Sequence, residues 1–187
     1  MKIYILLAHP DPESLNAALA DTYQQAAVEK GHEVRRQNLG DMTFDPILRK
    51  GFKAPMELEA DLKQAQDNLL WCDHWVIVYP VWWGSVPALL KGFLDRTLLP
   101  GFAFKYHSNS PVWDKLLKGR SAHLITTSDA PWWWLYFGYF NSDINTMKRA
   151  VLHFCGVTPV KTTRFSRVRF ADTARIEAWK TQVKKLV

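Results

Sequence analysis

Cysteine is almost missing: Cys72 and Cys155 are the only two in 187 residues. That excludes a disulfide framework and makes a cytoplasmic location the default expectation. Glycine is scarce too, at nine residues. No G-x-G-x-x-G or G-x-x-x-x-G-K-[ST] occurs, so neither a Rossmann dinucleotide fingerprint nor a P-loop is present. Long apolar runs are also lacking. The N-terminal IYILLA spans six residues and runs into His9-Pro10, too short for a membrane span and wrongly flanked for a signal peptide. No membrane insertion is expected. The six histidines show no paired spacing, and His153 with Cys155 has no further ligand near it in the chain, so no metal site is expected. No stretch is Pro-, Gly- or Ser-rich enough for a linker, and no repeat is visible. Residues 1–187 are therefore expected to form one domain.

Acidic residues run short at one end. From residue 145 onward ten Lys/Arg stand against Asp172 and Glu177, in a chain of net charge +6. Such a tail is either an anion-binding face or a solvated helix with its approach strand. It contains no nucleic-acid-binding motif, so no nucleic-acid partner is expected.

Tryptophan, by contrast, is abundant at nine residues. Several lie where the chain turns. Five segments read as strands: 2–8, 32–38, 74–79, 120–127 and 157–165. The first and third are near-continuous apolar runs, the pattern of central strands covered on both faces. The second alternates and carries Arg35 and Arg36, which suits an edge. Helical stripes lie between them: Leu15, Leu19, Tyr23 and Ala26, closed by Gly31; Leu58, Leu62, Ala65 and Leu69; Leu89/Leu90, Phe93/Leu94 and Thr97; Ile144, Met147, Val151 and Phe154; and Ile176, Trp179, Val183 and Leu186. Fivefold strand–helix alternation predicts an α/β fold, a parallel sheet with helices on both faces. Ligands bind such sheets beyond the carboxyl ends of the strands, where strand order reverses.

Three loops therefore carry the functional signal. After the first strand comes His9-Pro10-Asp11-Pro12-Glu13-Ser14-Leu15-Asn16-Ala17. Two prolines delay the helix and Ser14 is a good N-cap. The helix N-terminus offers an anion site to which Ser14, Asn16 and His9 add donors, although Ser14 is equally read as capping its own helix. After the third strand, Pro80-Val81-Trp82-Trp83-Gly84 supplies two aromatic faces and a glycine that admits close backbone approach, although both tryptophans are equally read as packing under the next helix or against a partner subunit. After the fourth, Thr126-Thr127-Ser128-Asp129 offers small polar groups, followed by Trp132-Trp133-Trp134-Leu135-Tyr136. Those aromatics either roof a pocket for a flat substrate, with Trp132, Trp133 and Tyr136 as its candidate walls, or form an interface patch. An anion end, an aromatic slot and a hydrogen-bonding rim together describe a site that a flavin fits.

Two stretches resemble a known family. AHPDPESLNAAL (8–19) is similar to the A-H-P-x-x-x-S-[FL]-N-x-x-L opening of the NAD(P)H:quinone oxidoreductases, the flavodoxin-like group that includes modulator of drug activity B. YPVWWGSVPALLKGFLDR (79–96) resembles that family's aromatic-loop segment nearly throughout. Phe44-Asp45-Pro46, Gly101-Phe102-Ala103-Phe104 and residues 152–156 also match its words in order. The resemblance implies a flavodoxin-like three-layer sandwich with a five-stranded parallel sheet. It further implies a non-covalent flavin, FAD or FMN, and NAD(P)H as donor to quinones or similar acceptors, in a homodimer. Carried over, His9, Ser14, Leu15, Asn16 and Ala17 would hold the phosphate end, Val81, Trp82, Trp83 and Gly84 the ring, and Thr126 and Thr127 its rim. The family's frequent T-T-G-G is Thr126-Thr127-Ser128-Asp129 here, and no histidine lies between His123 and His153. No acid–base residue is therefore assigned. A flavin-binding regulatory subunit with incidental turnover is the alternative reading.

Overall fold

The apolar runs of the sequence lie inside a sheet, and the reason is cover from both sides. The computed structural model describes residues 1–54 and 56–187. In chain order the elements are β1 (Lys2–Leu7), α1 (Leu15–Glu29), β2 (Glu33–Asn38), α2 (Ala60–Trp71), β3 (His74–Pro80), α3 (Ala88–Thr97), β4 (Phe104–Tyr106), β5 (Trp113–Lys115), β6 (Ser121–Ser128), α4 (Trp132–Phe137), α5 (Ser142–Asn145), β7 (Val160–Ser166) and α6 (Thr173–Lys184). Five strands pair in parallel in the order β2-β1-β3-β6-β7. This is a flavodoxin-like α/β fold, and all five carboxyl ends emerge on one edge. The order reverses between β1 and β3, which opens a crevice there.

On one face, Leu19, Tyr23 and Ala27 of α1 and Trp179 and Val183 of α6 pack on Ile3, Ile5, Val76 and Val78. On the other, Leu62, Leu90, Phe93 and Leu152 pack on Tyr4, Leu6, Ile77 and Leu124. Each buried Leu or Ile contributes about 1.5–3 kcal/mol, so two such faces account for strands that read as uninterrupted apolar runs. β2 pairs with β1 alone, and its charged residues sit on the edge as their alternation predicts. Gly31, with φ of 75°, ends α1 in the left-handed conformation. Its amide bonds Val28 O at 2.9 Å and that of His32 bonds Ala27 O at 3.0 Å, satisfying the last turn's carbonyls.

Some motif residues prove to be packing residues. A Cβ on Gly92 would lie 2.5 Å from Pro46 Cβ, so the glycine lets α3 meet the Phe44-Asp45-Pro46 segment. Arg96 is fully buried, and its Nη2 pairs with Glu59 Oε2 at 2.7 Å.

The structure departs from the sequence pattern in three places. The stripe at 144–154 is not one regular α-helix: after α5 the chain continues as a π-helical segment, Thr146–His153. Its fully buried residues are Met147 and Leu152, five apart, the spacing of an i→i+5 turn and not of an α-helix. Two elements were not expected at all, the antiparallel hairpin β4–β5 and the short helix α4. Among the described residues no helix is long and apolar enough to cross a membrane.

Candidate functional site

The loops after β1, β3 and β6 converge on a cleft of about 430 Å³ at the carboxyl edge of the sheet. The first loop gives it His9, Ser14, Leu15 and Asn16. Ser14 caps α1: its hydroxyl donates to Asp11 O at 2.8 Å and accepts from Ala17 N at 3.3 Å. Its proton is therefore spent inside the loop. Ala17 is buried behind the cap and does not line the cleft. The donors left for an anion are the first-turn amides of Leu15 and Asn16, which have no intrahelical acceptor, and the His9 ring. His9 Nδ1 is held by the Asp11 backbone, 3.0 Å from its nitrogen and 3.2 Å from its oxygen, which leaves Nε2 free of the loop.

The second loop leaves β3 at Pro80 and turns sharply at residues 82–85. Trp82 N donates to Ser85 O at 3.0 Å and Ser85 N to Trp82 O at 2.9 Å. The central pair, Trp83 and Gly84, have φ of 53° and 68°, the two positive angles of a type I′ turn. Glycine tolerates this; a tryptophan pays for it. Trp83 nevertheless gains nothing within the chain, since its side chain is fully exposed at the cleft wall. Trp82 lies edge-on to His9 at 5.7 Å and joins the aromatic wall to the anion end. A Cβ on Gly84 would come within 3.0 Å of the Tyr139 ring, so this glycine seats Tyr139 over the turn.

The third loop divides by strand alternation. Thr127 faces the cleft, its hydroxyl 3.0 Å from Asn16 Nδ2, and its carbonyl accepts from Val81 N at 2.7 Å. Thr126 points to the opposite face, buried and outside the cleft lining, with its hydroxyl unpaired among the described residues. Ser128 and Asp129 line the rim. The Asp129 carboxylate accepts from Arg169 N at 2.8 Å and so is anchored to the turn that brings Val168 to the cleft.

Helix α4 turns the other way from the candidate walls. Trp132, Trp133 and Tyr136 do not line the cleft and are exposed, while Leu135 and Tyr139, four residues apart, do line it. Ala130, Leu135, Tyr139 and Val168 are cleft residues that the sequence reading did not single out. Only the i,i+4 spacing of Leu135 and Tyr139 pointed to them, and the neighbouring aromatics hid it.

A family model described as a flavodoxin-like fold matches residues 1–187. A Haemophilus influenzae protein named as an uncharacterized NAD(P)H oxidoreductase is 32% identical, over 98% of this chain and 96% of that one. The chain belongs to the flavodoxin-like family that includes the NAD(P)H:quinone oxidoreductases. Within it, the Rattus norvegicus NAD(P)H dehydrogenase [quinone] 1 is 28% identical over 81% of this chain, which covers 64% of that longer protein. The solved Smu.1420 of Streptococcus mutans superposes with a TM-score of 0.84 at 29% identity, covering 100% of this chain and 98% of its own. The family's shared words thus fall on both kinds of position seen here, cleft walls such as Trp82 and packing points such as Gly92.

Proposed function

We propose that this protein is a flavin-dependent NAD(P)H:quinone oxidoreductase, passing two electrons as a hydride from NAD(P)H to quinones or similar aromatic acceptors by a ping-pong course. The observation that carries this reading is Trp83. A bulky aromatic residue is held in a left-handed turn, fully exposed, on the wall of a cleft whose far end offers anion donors. Strain of this kind costs of order 1–3 kcal/mol and persists at positions where a ligand repays it. The names of the relatives support the same chemistry.

The residues present fit a flavin, FAD or FMN. Val81, Trp82, Trp83 and Gly84 would flank its ring system, and His9 Nε2 with the amides of Leu15 and Asn16 would face its phosphate. Ser128 and Asp129 would border the polar edge. When bound, the flavin supplies the acceptor and then the donor of the hydride. The protein's own task is placement. The Asn16–Thr127 bond fixes the anion end against the strand that floors the slot, and Leu135 with Tyr139 keeps water from the slot's outer side. Donor and acceptor stack in turn in the same space, which is the structural requirement of ping-pong exchange.

Trp132, Trp133, Tyr136, Phe137 and Phe140 form an exposed aromatic face beside this cleft, from 49% to 77% accessible. A second copy of the chain would cover it and complete the acceptor pocket in a homodimer. The unpaired, buried thiols of Cys72 and Cys155 support a cytoplasmic setting for this activity.

The test is the visible absorbance spectrum of the purified chain, before and after NADPH is added without oxygen. Flavin bands that bleach with NADPH and return on adding a quinone are the expected result. A chain that carries no flavin and takes up neither FMN nor FAD overturns the proposal.

A further inference from the structure

A second cavity, of about 290 Å³, lies at the opposite edge of the sheet, at the amino ends of the strands. Nothing in the proposed reaction uses it. Its polar wall is His74 of β3, His123 of β6, Lys161 of β7 and Tyr23 of α1, and Ala122, Pro159 and Leu186 add apolar surface. Strand register explains the grouping. His123 pairs with Val76 and Lys161, and His74 is two residues before Val76, so all three side chains stand on the face that α1 and α6 cover.

Each imidazole is fixed at one nitrogen and open at the other. His74 Nδ1 lies 2.7 Å from Ser121 Oγ, and His123 Nε2 lies 2.8 Å from Thr163 Oγ1. His74 Nε2, His123 Nδ1 and the Tyr23 hydroxyl make no hydrogen bond among the described residues, although Tyr23 and His123 are only 1% and 3% exposed. All three residues line the one cavity, so these polar atoms are available to a ligand that enters it. No Asp or Glu side chain lines the cavity; Met1 and Val187 border it as well, the Val187 oxygen is already bonded to Lys30 Nζ, and Lys161 supplies the one charged side chain. A hydroxyl can either donate to or accept from a ring nitrogen, so each imidazole is free to present an N–H inward. The donor set is thus an ammonium, a phenol and two imidazoles around a partly apolar space.

We propose that this cavity binds a small carboxylate with an apolar body, its oxygens on Lys161, Tyr23 and the two imidazoles and its body against Ala122, Pro159 and Leu186. The site stands independently of the reductase reading. Charge-assisted hydrogen bonds from Lys161 and Tyr23 supply the selectivity for an anion over its neutral isostere.

The test uses the full chain, benzoate as the probe and benzamide as the neutral control. The imidazole C–H resonances of His74 and His123 report the site directly, at the far end of the sheet from the cleft. Saturable shifts with benzoate and none with benzamide are expected, with affinity falling about tenfold in Lys161→Met and in Tyr23→Phe. Lys161 is exposed, so its variant keeps the fold, and it decides the matter alone if Tyr23→Phe does not fold. Equal binding of benzamide, no saturable shift, or unchanged benzoate affinity in Lys161→Met overturns the proposal.

Discussion

The side-chain amide of Asn16 and the hydroxyl of Thr127 meet at 3.0 Å, buried, across 111 residues of chain. This one bond joins the start of α1 to the end of β6, and so joins the anion end of the cleft to its floor. Thr127→Val keeps the shape but leaves a buried amide without its partner, a loss of about 1–3 kcal/mol. Thr127→Ser should retain most of the stability. Urea midpoints of the two variants, read beside their flavin dissociation constants, check this; equal midpoints would mean the bond has no weight.

Trp83 should show stability and function pulling apart. Trp83→Gly removes the left-handed strain at a position with no packing to lose, so the chain should gain about 0.5–1 kcal/mol. The same variant loses an aromatic wall of the slot and should bind flavin more weakly. Thermal melting of the flavin-free chain and fluorescence titration with FMN and FAD separate the two effects. A destabilised variant with unchanged flavin affinity would remove the argument that rests on this turn.

Burial holds the His74 and His123 rings at about 4 instead of the ordinary 6.5, with the Lys161 charge adding to the shift at His74 and the His74 ring to that at His123. The unfolded chain takes up protons as pH falls through 6.5, whereas the folded chain refuses them until about 4. Stability from this pair is complete above pH 6.5 and drains away between there and about pH 4. Melting temperature measured across that window should fall steadily, and His123→Asn should flatten the slope. A flat profile in the unmodified chain would contradict the assignment.

Arg164 Nη2 donates to both carboxylate oxygens of Asp143 at 2.7 Å, with side chains 12% and 1% exposed. Arg164 also donates to Asn141 Oδ1 at 3.0 Å, holding the left-handed corner at Phe140 and Asn141 that follows α4. Removing one partner strands a buried charge, at about 3–5 kcal/mol. Arg164→Leu alone should therefore be severely destabilised, and the Arg164→Leu/Asp143→Leu double variant should recover much of the loss. Denaturant unfolding of the two single variants and the double variant gives the coupling energy; simple additivity would show that the pair does not act as a unit.

The sequence alone was enough for the sheet, because burial on both faces writes itself directly as apolar runs such as residues 3–8 and 75–79, and burial on one face as helical stripes. It was enough, too, for the three loops of the cleft, since a parallel sheet sends its strand ends to one edge whatever the side chains. Side-chain direction was the part it left open. Thr126 and Thr127 are alike in composition, and only pairing with Tyr79 and Pro80 decides that one is buried on the far face of the sheet and the other meets Asn16. Trp132, Trp133 and Tyr136 look as suited to a slot as Tyr139, and only the seat that Gly84 offers selects Tyr139. His74, His123, Lys161 and Tyr23 are scattered over 138 positions of sequence and carry no motif. They come together because parallel register sets three strands side by side and α1 folds back across them, and no local pattern records that.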